Sequence, residues 1–131
     1  MLSVKRIPQT GIIRIPERSR LLLGSAFHND IFYQTGALIR PEHARIFYEE
    51  GRLFFSAVTS DGLSVNPKTG EPKRFLKKKE GVFVLYPEYG DEIRIFGLAL
   101  RFFGKYLFAD AYYGDLRIAK EEGRDPSAAY G

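Results

Sequence analysis

The sequence predicts an all-β fold, a sandwich or barrel, on three observations. Apolar and polar residues alternate over short segments, so that Leu53, Phe55 and Ala57 share one face of a predicted strand. Turn residues separate these segments at intervals of about 8 to 12 positions, a spacing typical of small antiparallel folds. No segment before residue 104 shows a sustained helical period.

Nine segments carry the strand pattern. In chain order they are 11–16, 20–24, 29–36, 43–48, 52–58, 62–66, 81–87, 91–97 and 98–103. Within 43–48, the side chains of Ala44, Ile46 and Tyr48 share a face. The sequence Glu49-Glu50-Gly51 that follows predicts a hairpin turn before the next strand.

The region after residue 104 differs from the rest of the chain in its sequence pattern. We predict a domain of residues 1–104 followed by a C-terminal appendage or linker of residues 105–131. We expect this appendage to be short and either helical or extended; residues 115–123 are compatible with a short helix, with Asp115 as N-cap and Gly123 just past its end. The apolar stretch 106–119 is expected to fold back on a sandwich face rather than to dock a partner.

The composition excludes several functions. The 131 residues fit one domain, and 44% hydrophobic content is ample for a core. With no cysteine and only two histidines, neither a thiolate site nor a histidine-rich metal site can form, so we expect no metal and no cofactor. No apolar run approaches a membrane span or a signal peptide. We therefore expect a cytoplasmic protein without membrane insertion.

The charge suggests anionic partners. The net charge is +4, and a basic segment lies within residues 66–81, which we predict to be a solvated loop or an exposed hairpin tip. Its cations are candidates for contacts with a nucleic-acid backbone or another anionic surface. They are Lys68, Lys73, Arg74, Lys77, Lys78 and Lys79.

No catalytic motif is present. The chain has no phosphate-binding glycine loop, no dinucleotide fingerprint and no G-x-S-x-G elbow. The carboxylate pairs Glu49-Glu50 and Glu121-Glu122 lie in a predicted turn and at a predicted helix end. The sequence therefore predicts that the protein is not an enzyme.

Three polar loops are the candidate recognition surface, because loops at one end of a sandwich cluster together. They are residues 24–30, 35–43 and 59–66. An arginine fork, hydroxyl groups and amides are the groups that an anionic or peptide ligand requires. The residues that offer them include Ser25, His28, Asn29, Arg40, His43, Thr59, Ser60, Asp61 and Asn66.

These loops occur in a familiar order. The stretches "LLLGSAFHNDI" (21–31), "LIRPEHARI" (38–46), "TSDGLSVN" (59–66) and "YGDEIRIFGLALRF" (89–102) resemble the ordered motifs of forkhead-associated (FHA) domains. The resemblance covers about residues 4–103. It implies a β-sandwich of about eleven strands, of the SMAD/FHA-like fold, that binds phosphothreonine peptides through loops at one end.

The resemblance also implies roles for individual residues. His43 matches a histidine that braces the loops through hydrogen bonds rather than reacting. Gly24, Gly62 and Asn66 match positions that support the turns, where glycine is free to adopt positive φ. Residues 90–91 and Gly97 match the late motif and should shape the last hairpin.

The ligand-binding positions depart from the family pattern. Ser25 stands where the family has arginine, Arg40 where it has serine, and Asp61 where it has asparagine, while Ser60 keeps the expected hydroxyl. Asp61 would repel a phosphate and lacks the amide donor. The resemblance therefore implies a signalling module for protein–protein interaction with lost or altered phosphothreonine recognition.

Two alternatives remain open. Phosphothreonine binding through a rearranged site would use the guanidinium of Arg40 with the hydroxyls of Ser25 and Ser60. Binding of nucleic acid or an anionic surface would use the basic segment 68–79. A protein partner ranks above nucleic acid, because the basic segment has little aromatic content beyond Phe75.

Overall fold

The computed structural model describes residues 9–119, which form two β-sheets. The twelve strands are β1 (Gln9–Arg14), β2 (Leu21–Gly24), β3 (Ile31–Gln34), β4 (Ala44–Glu49), β5 (Arg52–Ala57), β6 (Leu63–Asn66), β7 (Leu76–Lys77), β8 (Phe83–Leu85), β9 (Glu92–Ile95), β10 (Leu98–Phe103), β11 (Tyr106–Ala111) and β12 (Asp115–Ile118). The described residues contain no helix. The all-β prediction is confirmed, with twelve strands where about eleven were expected.

The two sheets form a sandwich. The first sheet has the order β1-β11-β10-β9-β6, and the second has the order β12-β3-β2-β4-β5-β8-β7. All pairings are antiparallel except that of β2 with β3, which is parallel. Every one of the nine predicted strand segments overlaps an observed strand. The sequence pattern missed three strands: β11 and β12 after residue 104, and β7, a two-residue strand inside the basic segment that pairs with β8 to make a hairpin.

The core lies between the inner faces of the two sheets. Phe55 from the second sheet and Ile93 and Phe102 from the first are completely buried in it. The alternation along β5 explains this placement, because Leu53, Phe55 and Ala57 face inward while the residues between them face outward. Burial of each large side chain contributes about 1.5–3 kcal/mol to stability.

The C-terminal region belongs to the sheets. β11 lies between β1 and β10 in the first sheet, and β12 extends the edge of the second sheet by pairing with β3. Of the helical and extended alternatives for the appendage, the extended one is observed at 115–118, because Leu116 is buried and the segment is paired residue by residue with β3. Gly123 and the rest of 120–131 lie outside the described residues. The stretch 106–119 does not fold back on a sandwich face, as was expected, but supplies strands β11 and β12 of the two sheets.

The strand directions bring six connections to one end of the sandwich. We call this the loop end; it consists of residues 25–30, 35–43, 58–62, 78–82, 96–97 and 112–114. The β7–β8 turn belongs to it because Phe83 pairs with both Ala57 and Lys77. The turns at Glu50-Gly51 and Gly104-Lys105 lie at the opposite end, where the Tyr48 hydroxyl donates to the carbonyl oxygen of Gly104.

Within residues 9–119 no helix is long and apolar enough to cross a membrane.

The position of β11 leads to a testable prediction about the domain boundary that the sequence analysis placed at residue 104. A chain that ends there loses the strand that joins β1 to β10 and buries Leu107, Ala109 and Ala111. We expect this truncated chain to be unfolded by circular dichroism. In the full chain, Leu107→Ala should keep the fold and lower the free energy of unfolding by about 2–5 kcal/mol in urea titrations. A folded chain of residues 1–104 would contradict the central role of β11.

Candidate functional site

Backbone hydrogen bonds join the loops of the loop end into a continuous surface. The Ser25 N–H donates to the carbonyl oxygen of Arg40 at 3.0 Å, and the Val58 N–H donates to that of His43 at 3.0 Å. Among the loops next to the first sheet, the Phe96 N–H donates to the carbonyl oxygen of Gly62 at 2.9 Å. The Tyr112 N–H donates to the carbonyl oxygen of Gly97 at 2.8 Å. Five of the six loops are thus bonded to a neighbouring loop, whereas the 78–82 turn is closed by bonds within itself.

Residue 24 must be glycine because there is no room for a side chain at this position. A Cβ added to this residue would lie 2.1 Å from the carbonyl oxygen of Pro41, which is backbone and cannot move aside. The predicted role of Gly24 in a positive-φ turn is therefore wrong, because the residue is not among those with positive φ. Gly62 does have a φ of 66°, and the Phe96 ring packs where its side chain would be.

His43 connects three segments while almost completely buried. Its N–H donates to the carbonyl oxygen of Leu23 at 2.8 Å, and its ring Nδ1 accepts from the Arg40 N–H at 3.0 Å. Burial, aided by the positive charge of Arg40 and opposed by Asp61, lowers the pKa of the imidazole. A neutral ring that accepts at Nδ1 carries its proton on Nε2. These contacts are suited to bracing the loops.

Asn29 is a second brace, and the sequence analysis grouped it only with the polar loop residues. Its side-chain amide is buried and donates to the carbonyl oxygens of Ala26 at 2.8 Å and Pro41 at 2.7 Å. Asparagine is common in turns, so its presence alone did not distinguish a buried brace from an exposed loop residue. The structure places it between the two loops that Gly24 allows to approach.

The structure brings Ser25 and Arg40 together through a hydrogen bond between their backbones and not between their side chains. The Ser25 hydroxyl donates to the carbonyl oxygen of Ile39 at 3.0 Å, so its proton is already used. The Arg40 side chain is exposed to solvent. The rearranged phosphate site would therefore have to rely on Arg40 without a free Ser25 donor.

Ser60 and Asp61 are exposed on the neighbouring loop. The Asp61 N–H donates to the Thr59 hydroxyl oxygen at 3.2 Å, which closes the turn. The negative charge of Asp61 raises the pKa of His43 and so opposes the effects of burial and of Arg40. The loop end therefore presents both a positive and a negative charge to a ligand.

Asn66 does not join this surface. It ends β6 opposite Glu92, at the other end of the strand from the loop end. There it lines an open pocket of about 370 Å³ together with Lys68, Tyr89 and Arg101. The sequence spacing did not show that Asn66 lies away from the loop end. The reason is that the four residues of β6 span the sheet from the loop end to the opposite end.

The basic segment divides into a structural part and an exposed part. The Lys73 ammonium donates to the buried carboxylate of Asp91 and to Glu88 at 2.7 Å. Arg74 is exposed, and Lys77, Lys78 and Lys79 lie at and beside the β7–β8 turn of the loop end. The predicted basic patch is therefore not one surface, and Lys73 does not offer a free charge.

Buried charge explains the position of Lys73. Burial by itself raises the pKa of Asp91, but hydrogen bonds from Lys73 and from the N–H groups of Glu88 and Lys68 outweigh it and hold that pKa below its usual value. Burial lowers the pKa of Lys73, and its bonds to the two carboxylates more than reverse this. The pair joins the basic segment to the start of β9.

Large apolar side chains are exposed at the loop end. The exposed fraction is 84% for Phe27, 50% for Leu38, 44% for Val58 and 43% for Tyr113. The Tyr112 ring, also 50% exposed, lies instead against Arg94 on the outer face of the first sheet. The Phe27 ring stacks on Phe32, with ring centroids 5.2 Å apart and an interplanar angle of 8°. The sequence analysis did not identify these residues, because alternation does not distinguish an apolar loop residue from a core residue.

The metal prediction can be compared with the geometry of the described chain. Residues 9–119 contain no group of three or more His, Cys, Asp or Glu side chains that could hold a metal ion. The exposed pair of His28 and Glu42, whose Nε2 and Oε2 atoms are 3.2 Å apart, belongs to the rim of the loop end.

The class of protein that these features define is a β-sandwich with one braced loop surface. Comparison with family models, with curated proteins and with solved structures gives no match. The function is therefore argued from the residues of the site.

The lowered pKa of His43 predicts a pH dependence of stability. The folded state favours neutral imidazole, so this stabilisation is fully present above the ordinary value of 6.5 and is lost as the pH falls below it towards the lowered pKa. We expect the free energy of unfolding in urea to decrease between pH 7 and pH 5. His43→Gln should be less stable at pH 7 and lose less over this range, and an equal loss in both proteins would contradict the assignment.

The two parts of the basic segment should respond differently to neutralisation. Lys73→Gln leaves Asp91 buried without its charge partner, and we expect a loss of about 3 kcal/mol in the free energy of unfolding. Lys78→Gln removes the same charge from an exposed turn and should change stability by less than about 0.5 kcal/mol. Similar effects of the two substitutions in urea titrations would contradict the division.

Proposed function

We propose that the chain is a non-enzymatic protein-interaction module that binds a protein partner through the loop end. The observation that carries the proposal is the group of exposed apolar side chains there. They are Phe27, Leu38, Val58 and Tyr113. Exposed aromatic and aliphatic groups beside charged residues are typical of protein-binding surfaces.

The bracing of the loops supports this function. Gly24, Asn29 and His43 fix the loops that carry Phe27 and Leu38 through buried contacts. A surface that is ordered before binding loses less conformational entropy when its partner docks. A rigid scaffold under exposed apolar groups is therefore the arrangement that recognition requires.

The resemblance to FHA domains adds a cytoplasmic signalling role to the proposal, with altered recognition of phosphothreonine. A phosphate-independent partner is favoured because the Ser25 proton is used by Ile39 and because Asp61 adds a negative charge near Arg40. Binding of phosphothreonine through Arg40 is the alternative within the same surface.

The test is a titration of peptide libraries by fluorescence anisotropy, with matched threonine and phosphothreonine pools. We expect both pools to bind equally, and Phe27→Ser to weaken binding at least about fivefold because an exposed apolar contact is lost. Tyr89→Ser is the matched control, since Tyr89 is 71% exposed outside the loop end.

Three results would contradict the proposal. They are binding to neither pool, equal effects of Phe27→Ser and Tyr89→Ser, and binding of the phosphorylated pool alone that Arg40→Ala abolishes. The last result would establish the rearranged phosphothreonine site instead. A steep fall of affinity with added salt would also argue against apolar docking.

A further inference from the structure

The outer face of the second sheet carries a row of aromatic side chains that the proposed function does not use. Phe47 and Phe54 are paired across β4 and β5, with ring centroids 4.6 Å apart, and Tyr86 follows at 5.2 Å from Phe54. We call these three residues the aromatic row. Their neighbours along the chain, such as Ile46, Phe55 and Leu85, face the core, so the row faces outward.

An arginine caps each end of the row. The Cζ atom of Arg20 lies 5.1 Å from the centroid of the Phe47 ring, and that of Arg52 lies 4.2 Å from the centroid of Tyr86. Stacking on a ring holds the guanidinium by cation–π attraction while leaving its N–H donors at the edge of the plane. The two ends of the row therefore present fixed positive charges with available donors.

Other arginines of the described chain show that this arrangement is specific. Arginines also lie over Tyr106, Tyr112 and Phe32, and each has a polar partner of its own. These partners are the Tyr106 hydroxyl for Arg14, Glu92 for Arg94 and Asp115 for Arg117. Within residues 9–119, the guanidinium groups of Arg20 and Arg52 have no hydrogen-bond or ion-pair partner, and both flank the same row.

The surroundings extend the site. An open pocket of about 310 Å³ adjoins the Phe47 end and is lined by Arg18, Ser19 and Arg20 as well as by Phe47. Glu17 and Glu49 also line the pocket and place negative charge beside the row. Glu17 pairs with Lys105, whereas Glu49, although in register with Arg52, makes no ion pair with it within residues 9–119, so the Arg52 donors stay available.

We propose that the aromatic row and its two arginines bind single-stranded nucleic acid. Unpaired bases stack on aromatic rings and on guanidinium planes, and arginine donors bind the phosphates on either side. A sheet face with three half-buried rings and an arginine over the ring at each end matches this chemistry, and a basic chain of net charge +4 favours the encounter. This face is separate from the loop end, so the proposal does not depend on the protein-binding function.

The test measures the anisotropy of fluorescent oligouridine and oligothymidine of about twelve nucleotides, together with a duplex of the same length. We expect the full chain to bind both single strands more tightly than the duplex. The double substitution Arg20→Gln and Arg52→Gln should weaken binding at least about tenfold and flatten the salt dependence by about two phosphate contacts.

Controls separate stacking from charge. Arg14→Gln removes one charge from an arginine–aromatic pair on the other sheet and should change affinity less than about twofold. Arg52→Lys keeps the charge but loses the planar stack, and should weaken binding with an unchanged salt slope. All variants are compared with the wild type in urea titrations to establish that they are folded.

Four results would overturn the proposal. The first is the absence of binding to either single strand at low salt. The second is equal loss from Arg14→Gln and from either arginine of the row. The third is tighter binding of the duplex, which would indicate attraction to phosphate charge alone. The fourth is stronger binding of poly-aspartate with the same sensitivity to Arg52→Lys, which would identify an acidic peptide as the occupant.

Discussion

The arrangement of the loop end depends on the close approach of residues 24–26 to residues 39–41. The approach is possible only because Gly24 has no side chain at the point where the Pro41 carbonyl oxygen lies. Once the two backbones are in contact, Ser25 and Asn29 can form hydrogen bonds with residues 39–41. His43 can then form hydrogen bonds with Leu23 and with Arg40. These bonds satisfy polar groups that burial would otherwise leave at a cost of about 1–3 kcal/mol each. A single missing methyl group thus permits the network that orders the surface.

A second constraint closes the open side of the sandwich. The chain must pass from β6 in the first sheet to β7 in the second, and this crossing is the basic segment. Lys73 holds it to Asp91 beside the first sheet, and the Phe75 ring packs against Phe55 of the second, with centroids 5.9 Å apart. One charge of the segment, that of Lys73, therefore stabilises the fold, while the others are exposed to solvent. This is why the charges do not form a single patch.

The pattern of alternation and short apolar runs was sufficient to predict the fold class and nine of the twelve strands; β5 buries one face, whereas β3 is a continuous buried run. It failed where the local signal was weak or misleading. β12 has good helical end signals at Asp115, yet pairing with β3 overrides them. The positions of Asn66 and Lys73 depend on register and on a long-range ion pair, and no local pattern encodes either. For the same reason, the cross-strand aromatic row could not be identified before the register of β4, β5 and β8 was known.

The loop end and the aromatic row differ in the physics of binding, and this keeps their functions separable. At the loop end, the charges of Arg40 and Asp61 offset each other near exposed apolar groups, so transfer of apolar surface from water must supply most of the affinity. On the sheet face the aromatic rings are half-buried beneath or beside arginines, so little apolar area remains to be removed from water. Affinity there must come from stacking and from charge. Under the two proposals, salt should displace a ligand from the row but not a partner from the loop end, so the two functions can be tested separately.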